Sequence, residues 1–281
     1  MGMKTQSFPA RLLVFTGSAA LLSALASGLG IGVPGVYRDN AFVRTAWLAN
    51  DWVTLAVVLP ALILSVYLSF KKSKLAQMVW TGLMAYLVYN YAFYLFGAAF
   101  NKLFLLYVLV VICGLYSLLL LVQHTCALNI PLSTYSRRYA MAYLLVIGLM
   151  LIGVETPPIF AFINTGRLPA IIPQTGHPTA IVYALDLTLV VPSCLIAVHG
   201  LWHRRYWAAT VATIMLVKGA AYGLVLVAGT LLLASGGVAR DPLLAFYILI
   251  TLGGLAGLAA IGKAIKGAVH LATKKKAIPM S

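Results

Sequence analysis

The side chains best able to do chemistry are a lysine and a few carboxylates set in long apolar stretches. Lys218 lies in the middle of ATIMLVKGAAYG, while Asp186 lies in VYALDLTLVV and Asp51 in LANDWVTL. A lysine at the centre of a membrane helix costs roughly 2.5–3.5 kcal/mol on insertion scales. Ionisable groups in such surroundings commonly mark ion or proton pathways. We therefore predict that these three residues couple the binding of a substrate or a proton.

Lys218 has a candidate partner in Asp186. Their segments are joined by a tight turn around His203–Arg205, which lies about 14 helical residues from Lys218 and about 18 from Asp186. At about 1.5 Å per residue, the heights of the two residues differ by roughly 6 Å, a distance that a lysine side chain can cover. The sequence therefore predicts an ion pair and leaves open whether that pair is structural or functional.

Asp51 and Asp186 each precede a proline, Pro60 and Pro192. An aspartate at a helix N-terminus can cap the first turn, and we expect Asp51 to open its helix in this way. The alternative is that the two carboxylates flank a shared entrance. All five acidic residues are expected in the outer half of the molecule, where they would form an acidic mouth: Asp39, Asp51, Glu155, Asp186 and Asp241.

A second group of residues is expected to line a polar cavity beside these charges. Tyr89 and Asn90 belong to an aromatic segment, and Tyr222 follows Lys218 by one helical turn. Asn90 in hydrocarbon should form a hydrogen bond to a neighbouring helix. We interpret Tyr89, Asn90, Tyr222 and Glu155 as the lining of a cavity for a small solute, with aromatic packing as the alternative.

Metal and cofactor chemistry is not predicted. His199 and His203 have the i, i+4 spacing that can share a metal, but Arg204 and Arg205 follow directly and repel a cation. The three cysteines form no C-x-x-C pair, and no nucleotide-binding or hydrolase motif is present. We expect no metal, no cofactor and no identified catalytic residue; the sequence leaves open whether the protein is an enzyme and favours one that is not.

Composition places these residues in a membrane. The chain has 281 residues, of which 62% are hydrophobic and 9% charged, with a mean hydropathy of +0.99. Soluble domains are about half apolar and about 25% charged, so composition excludes a soluble enzyme domain. The net charge of +15 is interpreted as a membrane-topology signal. We therefore expect no nucleic-acid partner.

Eight segments have the roughly 17–25 apolar residues of a membrane helix. They are 11–33, 51–70, 77–99, 102–123, 138–160, 179–202, 206–234 and 242–268. The sequence thus predicts an all-α, polytopic transmembrane helical bundle with eight spans. The first segment could instead be a signal peptide cleaved near Ala24–Ala26, but the apolar run continues to Val33 and favours a retained helix.

The basic residues predict the orientation of these spans. With a cytoplasmic N-terminus, fourteen Lys and Arg residues fall on the inner side, five fall on the outer side, and Lys218 lies within a span. The positive-inside rule then predicts a multi-pass protein of the cell inner (plasma) membrane with both termini cytoplasmic. The basic stretch Lys263–Lys276 is expected to contact anionic lipid at the inner face.

The two halves of the chain resemble each other. Four pairs of spans match in order; for example, DWVTLAVVLPALIL from Asp51 resembles DLTLVVPSCLIA from Asp186. This predicts a first four-helix half at 1–124, an inner connection at 125–137, and a second four-helix half with a basic C-terminal tail at 138–281. Four is an even number, so the halves would be parallel and related by a pseudo-twofold axis along the membrane normal.

The segments DWVTL…LP and YNYAFYLFGAAFN…LFLLY resemble those of bacterial multi-span integral membrane proteins that carry no assigned activity. The resemblance covers mainly the second to fourth predicted spans. It implies a polytopic membrane protein and transfers no catalytic residues.

Together these observations predict a transporter-like or small-solute-binding membrane protein with an outward-facing polar cavity between two four-helix halves. One alternative is an intramembrane enzyme that acts on a lipid-linked substrate at the outer leaflet, with Asp51, Asp186 and Glu155 as acid–base groups. Another is a non-catalytic accessory subunit. The expected partners are the lipid bilayer, anionic lipid at the inner face, and an unidentified small-molecule ligand.

Overall fold

In the computed structural model the chain forms a bundle of helices. The structure describes residues 7–237 and 241–276, with side chains up to residue 267. Helices account for 82% of the described residues, which contain no strand, and this confirms the all-α class. The helices are α1 (Ala10–Gly32), α2 (Ala41–Val53), α3 (Leu59–Phe70), α4 (Lys74–Gly97), α5 (Phe104–Cys126), α6 (Thr134–Thr165), α7 (Ile171–Thr175), α8 (Ile181–Leu185), α9 (Val191–Trp202), α10 (Ala208–Ser235) and α11 (Leu244–Lys276).

Two of the long helical stretches contain a π turn just before a proline. The π turns are Thr54–Val58, between α2 and α3, and Asp186–Val190, between α8 and α9. The residue after each π turn donates its backbone N–H to the carbonyl five residues earlier. Pro60 and Pro192 follow one position later; a proline has no N–H, and its ring crowds the carbonyl four residues before it. The wider turn relieves this crowding, so each helix continues without a break.

The second long stretch begins at Ala41, earlier than predicted. Asn40 caps this helix, because its Oδ1 accepts the backbone N–H of Val43 at 3.0 Å. Asp51 therefore lies inside α2, and the prediction that it opens and caps a helix is wrong. Polar residues such as Asn50 lower the apolar content of α2, which is why hydropathy placed the start of the span too late.

Within the part of the chain that the structure describes, seven helical stretches are long and apolar enough to cross a membrane. They are Ala10–Gly32, Ala41–Phe70, Phe104–Cys126, Thr134–Thr165, Ile181–Trp202, Ala208–Ser235 and Leu244–Gly267. The other long helix is α4, whose 24 residues include Asn90 and several tyrosines that lower its hydropathy. Trp80, Tyr86 and Tyr91 of α4 are completely buried, because protein rather than lipid surrounds this helix. The eight-span count therefore stays a prediction.

Consecutive long helices alternate in direction, so their ends collect at two ends of the bundle. One end, called the basic end below, carries Lys71, Lys72, Arg137, Arg138, Arg204 and Arg205 at or beside helix termini. Lys263, within α11, lies at the same end, in a cleft that it shares with Ser133. Lys4, Arg240 and residues 277–281 lie outside the described residues, as do the side chains of Lys274, Lys275 and Lys276. The side of the membrane that the basic end faces stays a prediction.

Helices α4 and α10 form the centre of the bundle. In α10, 67% of the apolar segment is buried, compared with 22–39% in the other six candidate spans. The two helices pack directly on each other, and they approach closely at Gly82, where any Cβ would overlap the side chain of Val217. The outer helices instead expose large apolar residues such as Ile63 and Leu105, as suits contact with lipid tails.

The helices of the two halves make similar contacts. In the first half, α4 packs on α3 and α5, and α1 packs on α2 and α5. In the second half, α10 packs on α9 and α11, and α6 packs on α9 and α11. A duplicated four-helix unit would produce this arrangement, but the repeat and its boundaries at 124 and 138 stay predictions.

Candidate functional site

A buried charged cluster lies beside the central helices. Lys218 Nζ is 3.8 Å from Asp186 Oδ1, and the Tyr89 hydroxyl donates to the same Oδ1 at 2.6 Å. Glu155 and Tyr222 complete the group, and each of the five residues is at most 7% exposed. We call these residues the Asp186 cluster. The predicted contact between Asp186 and Lys218 is present, and its role in coupling stays a prediction.

Four parts of the bundle supply this cluster. Asp186 is the first residue of the second π turn, and Glu155 comes from α6. Lys218 and Tyr222 lie one turn apart on α10, facing Tyr89 of α4. Because π turns change the direction in which following side chains point and are frequent at functional sites, the position of Asp186 at the start of one fits a binding role.

The ammonium group of Lys218 lies against two aromatic rings. Its Nζ is 3.5 Å from the centroid of the Tyr89 ring and 4.9 Å from that of Tyr222. The two rings contact each other edge to face, with centroids 5.0 Å apart. Cation–π contacts of this kind contribute about 0.5–2 kcal/mol each, more where water is excluded. The rings predicted to line a cavity therefore contact the lysine, and a solute cavity beside them stays a prediction.

Glu155 brings a second carboxylate to the cluster. It is 3% exposed, and its Oε2 is buried without a hydrogen-bond partner among the described residues. It lies close enough to Asp186 and Lys218 for their charges to interact. With all three groups ionised, the cluster has two negative charges and one positive charge. One additional proton or monovalent cation would make it neutral.

Asn90 is buried but unpaired. It is 1% exposed, and both polar atoms of its side chain lack a hydrogen-bond partner within the described part of the chain. The predicted hydrogen bond to a neighbouring helix is therefore not formed in this structure. An unpaired buried polar group costs about 1–3 kcal/mol. The Asn90 amide therefore has hydrogen-bonding groups that a bound solute could satisfy.

Asp51 lies in a separate group that contains no basic side chain. It accepts hydrogen bonds from the hydroxyls of Tyr37 and, at 3.0 Å, Tyr94, and it is 1% exposed. Burial, and secondarily the charge of Asp51, raise the pKa of Tyr37, which keeps this hydroxyl protonated as a donor. Gly30 of α1 passes so close that any side chain there would overlap Asp51 and Tyr37.

Sequence reasoning missed Tyr37 and Tyr94 as partners of Asp51. The available signal was the run of tyrosines in α4, where Tyr94 follows Tyr89. Nothing in the sequence linked Tyr37, which lies in the loop before α2, to a carboxylate within that helix.

The structure does not bring Asp51 and Asp186 into one site, because they bind different tyrosines of α4. The predicted acidic mouth is also not an exposed surface. The Asp39 carboxylate accepts hydrogen bonds from Trp47 Nε1 at 3.1 Å and from the Ala99 backbone N–H at 3.0 Å, which hold it in the interior. The carboxylates of Asp39, Asp51, Asp186 and Asp241 all accept hydrogen bonds within the protein.

Two surface clefts lie away from the Asp186 cluster. One, of about 710 Å³, lies at the basic end between the start of α6 and α11, and Ser133 and Lys263 line it. The other, of about 370 Å³, lies at the opposite end beside Arg38 and Lys102. Neither is lined by Tyr89, Asn90, Tyr222 or Glu155. The Asp186 cluster is enclosed in this structure, and the outward-facing cavity stays a prediction.

The described side chains contain no group of three or more His, Cys, Asp or Glu residues placed to hold a metal ion. His199 and His203 contact each other, with ring centroids 4.4 Å apart. The chain matches no protein-family model, no curated protein and no solved structure.

Proposed function

We propose that the protein is an integral membrane transporter-like or small-solute-binding protein in which the Asp186 cluster binds and releases a proton as a solute binds. The observation that carries this proposal is the pair of buried carboxylates, Asp186 and Glu155, beside a single lysine. Ionisable groups buried between apolar helices are costly to keep and commonly serve transport.

The cluster has the physical requirements of a coupling site. Loss or gain of one proton changes its net charge in a region from which water is excluded, so the two states favour different arrangements of the surrounding helices. Lys218 has a flexible stem and can follow the negative charge between Asp186 and Glu155. Asp51, on the other side of α4, would be a second proton acceptor, and Asn90 would offer hydrogen bonds to the solute.

The proposal includes a membrane arrangement. We propose eight spans in a parallel 4+4 repeat, with both termini cytoplasmic in the inner (plasma) membrane. The similar helix contacts in the two halves support the repeat, and the basic residues at one end support the orientation. The cleft beside Lys263 at the basic end is a suitable place for anionic lipid.

The enclosed position of the carboxylates favours binding and release over catalysis on a lipid. An enzyme for a lipid-linked substrate needs its acid–base groups within hydrogen-bond reach of the substrate. Asp186 and Glu155 are at most 6% exposed, and neither lines the surface clefts described above.

Transport can be tested in proteoliposomes that contain a trapped pH dye. A panel of small amines, amino acids, carboxylates and sugars is added outside, and proton movement is recorded. At least one class should move protons through the wild type, and Asp186→Asn should abolish this movement, because Asp186 would no longer carry a charge.

Asp241→Asn is the matched control, since Asp241 lies outside the cluster and both of its oxygens are hydrogen-bonded locally. It should retain solute-driven proton movement. Movement that Asp186→Asn leaves unchanged would remove the proposed role of Asp186. A wild type that moves protons with no class of solute would argue against transport.

A further inference from the structure

We propose that the Asp186 cluster recognises a small organic ammonium cation, and that this cation competes with a proton for Glu155. The inference rests on the transport function proposed above and adds the chemical class of its substrate. It assigns a distinct part to Glu155, the cluster residue whose Oε2 is buried without a partner.

The first step is the charge of the site. Asp186 and Glu155 together carry two negative charges when ionised, and Lys218 carries one positive charge. An anionic solute would add to the unbalanced negative charge, and a neutral solute would leave it unbalanced. A monovalent cation neutralises it, which matters because an unpaired charge in a dry interior is energetically costly.

The second step is the kind of cation. The cluster already holds one ammonium group, that of Lys218, by a carboxylate at 3.8 Å and an aromatic ring at 3.5 Å. Carboxylates and aromatic faces are the surfaces that recognise ammonium ligands in proteins. A primary ammonium also donates hydrogen bonds. Glu155 Oε2 is buried without a hydrogen-bond donor among the described residues, and the Glu155 carboxyl lies beside that of Asp186.

A metal cation fits the cluster less well than an ammonium. Hard cations in proteins take about six or more oxygen ligands, chiefly carboxylates, carbonyls and waters. The Tyr89 hydroxyl already donates its proton to Asp186, and the described side chains show no metal-ligand group. The site therefore offers the Glu155 carboxyl, whose Oε2 has no hydrogen-bond donor among the described residues, beside aromatic rings that already hold one ammonium group, and this suits an organic cation better than a metal ion.

The third step is competition with a proton. A proton on Glu155 and an ammonium donor to Glu155 use the same carboxylate oxygens, and either one brings the cluster to neutrality. When an ammonium binds to the protonated cluster, the proton leaves Glu155 for the solvent, so charge and atoms balance. The other titratable groups around Glu155 and Lys218 are Asp186, Tyr89, Tyr222, Tyr183 and Cys194.

This exchange can be measured on the purified full chain in weakly buffered solution with a pH dye. Ethylammonium chloride is titrated at constant ionic strength, with sodium chloride, sodium acetate and ethanol as comparisons. For the wild type we expect release of about one proton for each ethylammonium bound. Over the pH range in which Glu155 is protonated, the half-saturating concentration should rise about tenfold for each unit that the pH falls.

Variants of Glu155 separate this site from binding elsewhere. Glu155→Gln should lose both the proton release and the pH dependence, whereas Glu155→Asp should retain the proton release because it keeps a carboxylate. Asp241→Asn, a carboxylate outside the cluster, should behave as the wild type. Size-exclusion chromatography shows whether each variant is folded. If Glu155→Gln is not folded, proton release by the wild type and by Glu155→Asp still tests the inference.

Several results would overturn the inference. They are ethylammonium binding without proton release, equal release with sodium chloride, unchanged release by a folded Glu155→Gln variant, and no binding by the wild type. Failure of this inference is distinguishable from failure of transport. Proton movement in proteoliposomes with carboxylates or sugars alone would overturn the substrate class only. Ethylammonium binding with proton release but without flux would overturn transport only.

Discussion

Lys218 contacts three other residues of the buried cluster. Its ammonium contacts Asp186 from the second π turn and the rings of Tyr89 and Tyr222 from the two central helices. A buried ion pair is weak evidence of added stability, but removal of one partner leaves the other charge unpaired. The cluster is therefore expected to respond differently to single and paired substitutions.

Lys218→Met should lower the free energy of unfolding by about 3–5 kcal/mol, because it leaves Asp186 and Glu155 buried without a cation. The double variant Lys218→Met, Asp186→Asn should recover part of this loss. Thermal unfolding in detergent, compared through Tm, measures both effects. Lys263→Met, at an exposed position, is the control for loss of a positive charge. A double variant no more stable than the single one would contradict the pairing.

At the scale of the helices, the sequence predicted most elements but not their interruptions. Helices α1, α5, α9 and α10 end within a few residues of the predicted limits, because the length of an apolar run is a local property. The π turns before Pro60 and Pro192 were not predicted. The start of α2 was misplaced, because its polar residues face the interior and so lower the hydropathy of a helix that is nevertheless buried.

The contact between α4 and α10 can be tested at Gly82. Gly82→Ala should destabilise the protein by about 1–3 kcal/mol, because its Cβ would overlap Val217 in a packed interior. Gly17→Ala in α1 is the matched control: no atom lies within 4 Å of the added Cβ, and alanine favours a helix over glycine by about 1 kcal/mol. Thermal unfolding should therefore separate the two variants in opposite directions. Equal effects would contradict close packing at Gly82.

At the scale of the whole molecule, the basic end and the central position of α4 are the main features. Basic residues collect at one end because consecutive helices alternate in direction. Helix α4 joins the two groups of carboxylates, since Tyr89 binds Asp186 and Tyr94 binds Asp51. A helix in that position can transmit a change at one carboxylate to the other, provided that it spans the bundle from end to end.

Single cysteines at Lys71 and Lys102, which flank α4, test both the span and the orientation. In a chain whose Cys113, Cys126 and Cys194 are replaced by alanine, a membrane-impermeant maleimide added to intact spheroplasts should label Lys102→Cys but not Lys71→Cys. Both should be labelled after the membrane is opened, which is the control for accessibility. Labelling of both in intact spheroplasts would show that α4 does not cross, and the reverse pattern would show the opposite orientation.

The sequence by itself determined the helical class, most span limits and the contact of Lys218 with Asp186. Each depends on local quantities: the length of an apolar run, the rise of a helix and a short connection. The buried carboxylates and the lysine were also recognisable, because charges are rare in apolar segments.

Only the tertiary structure decided which side chains meet across the bundle. In the structure the Lys218 ammonium lies against the rings of Tyr89 and Tyr222, and Glu155 belongs to the same cluster. Asp51 instead accepts hydrogen bonds from Tyr37 and Tyr94. Several of these partners come from helices far apart in the chain, such as Tyr89 of α4 and Lys218 of α10. Their meeting depends on how each helix is rotated about its own axis, and that rotation is set by close packing against several neighbours at once.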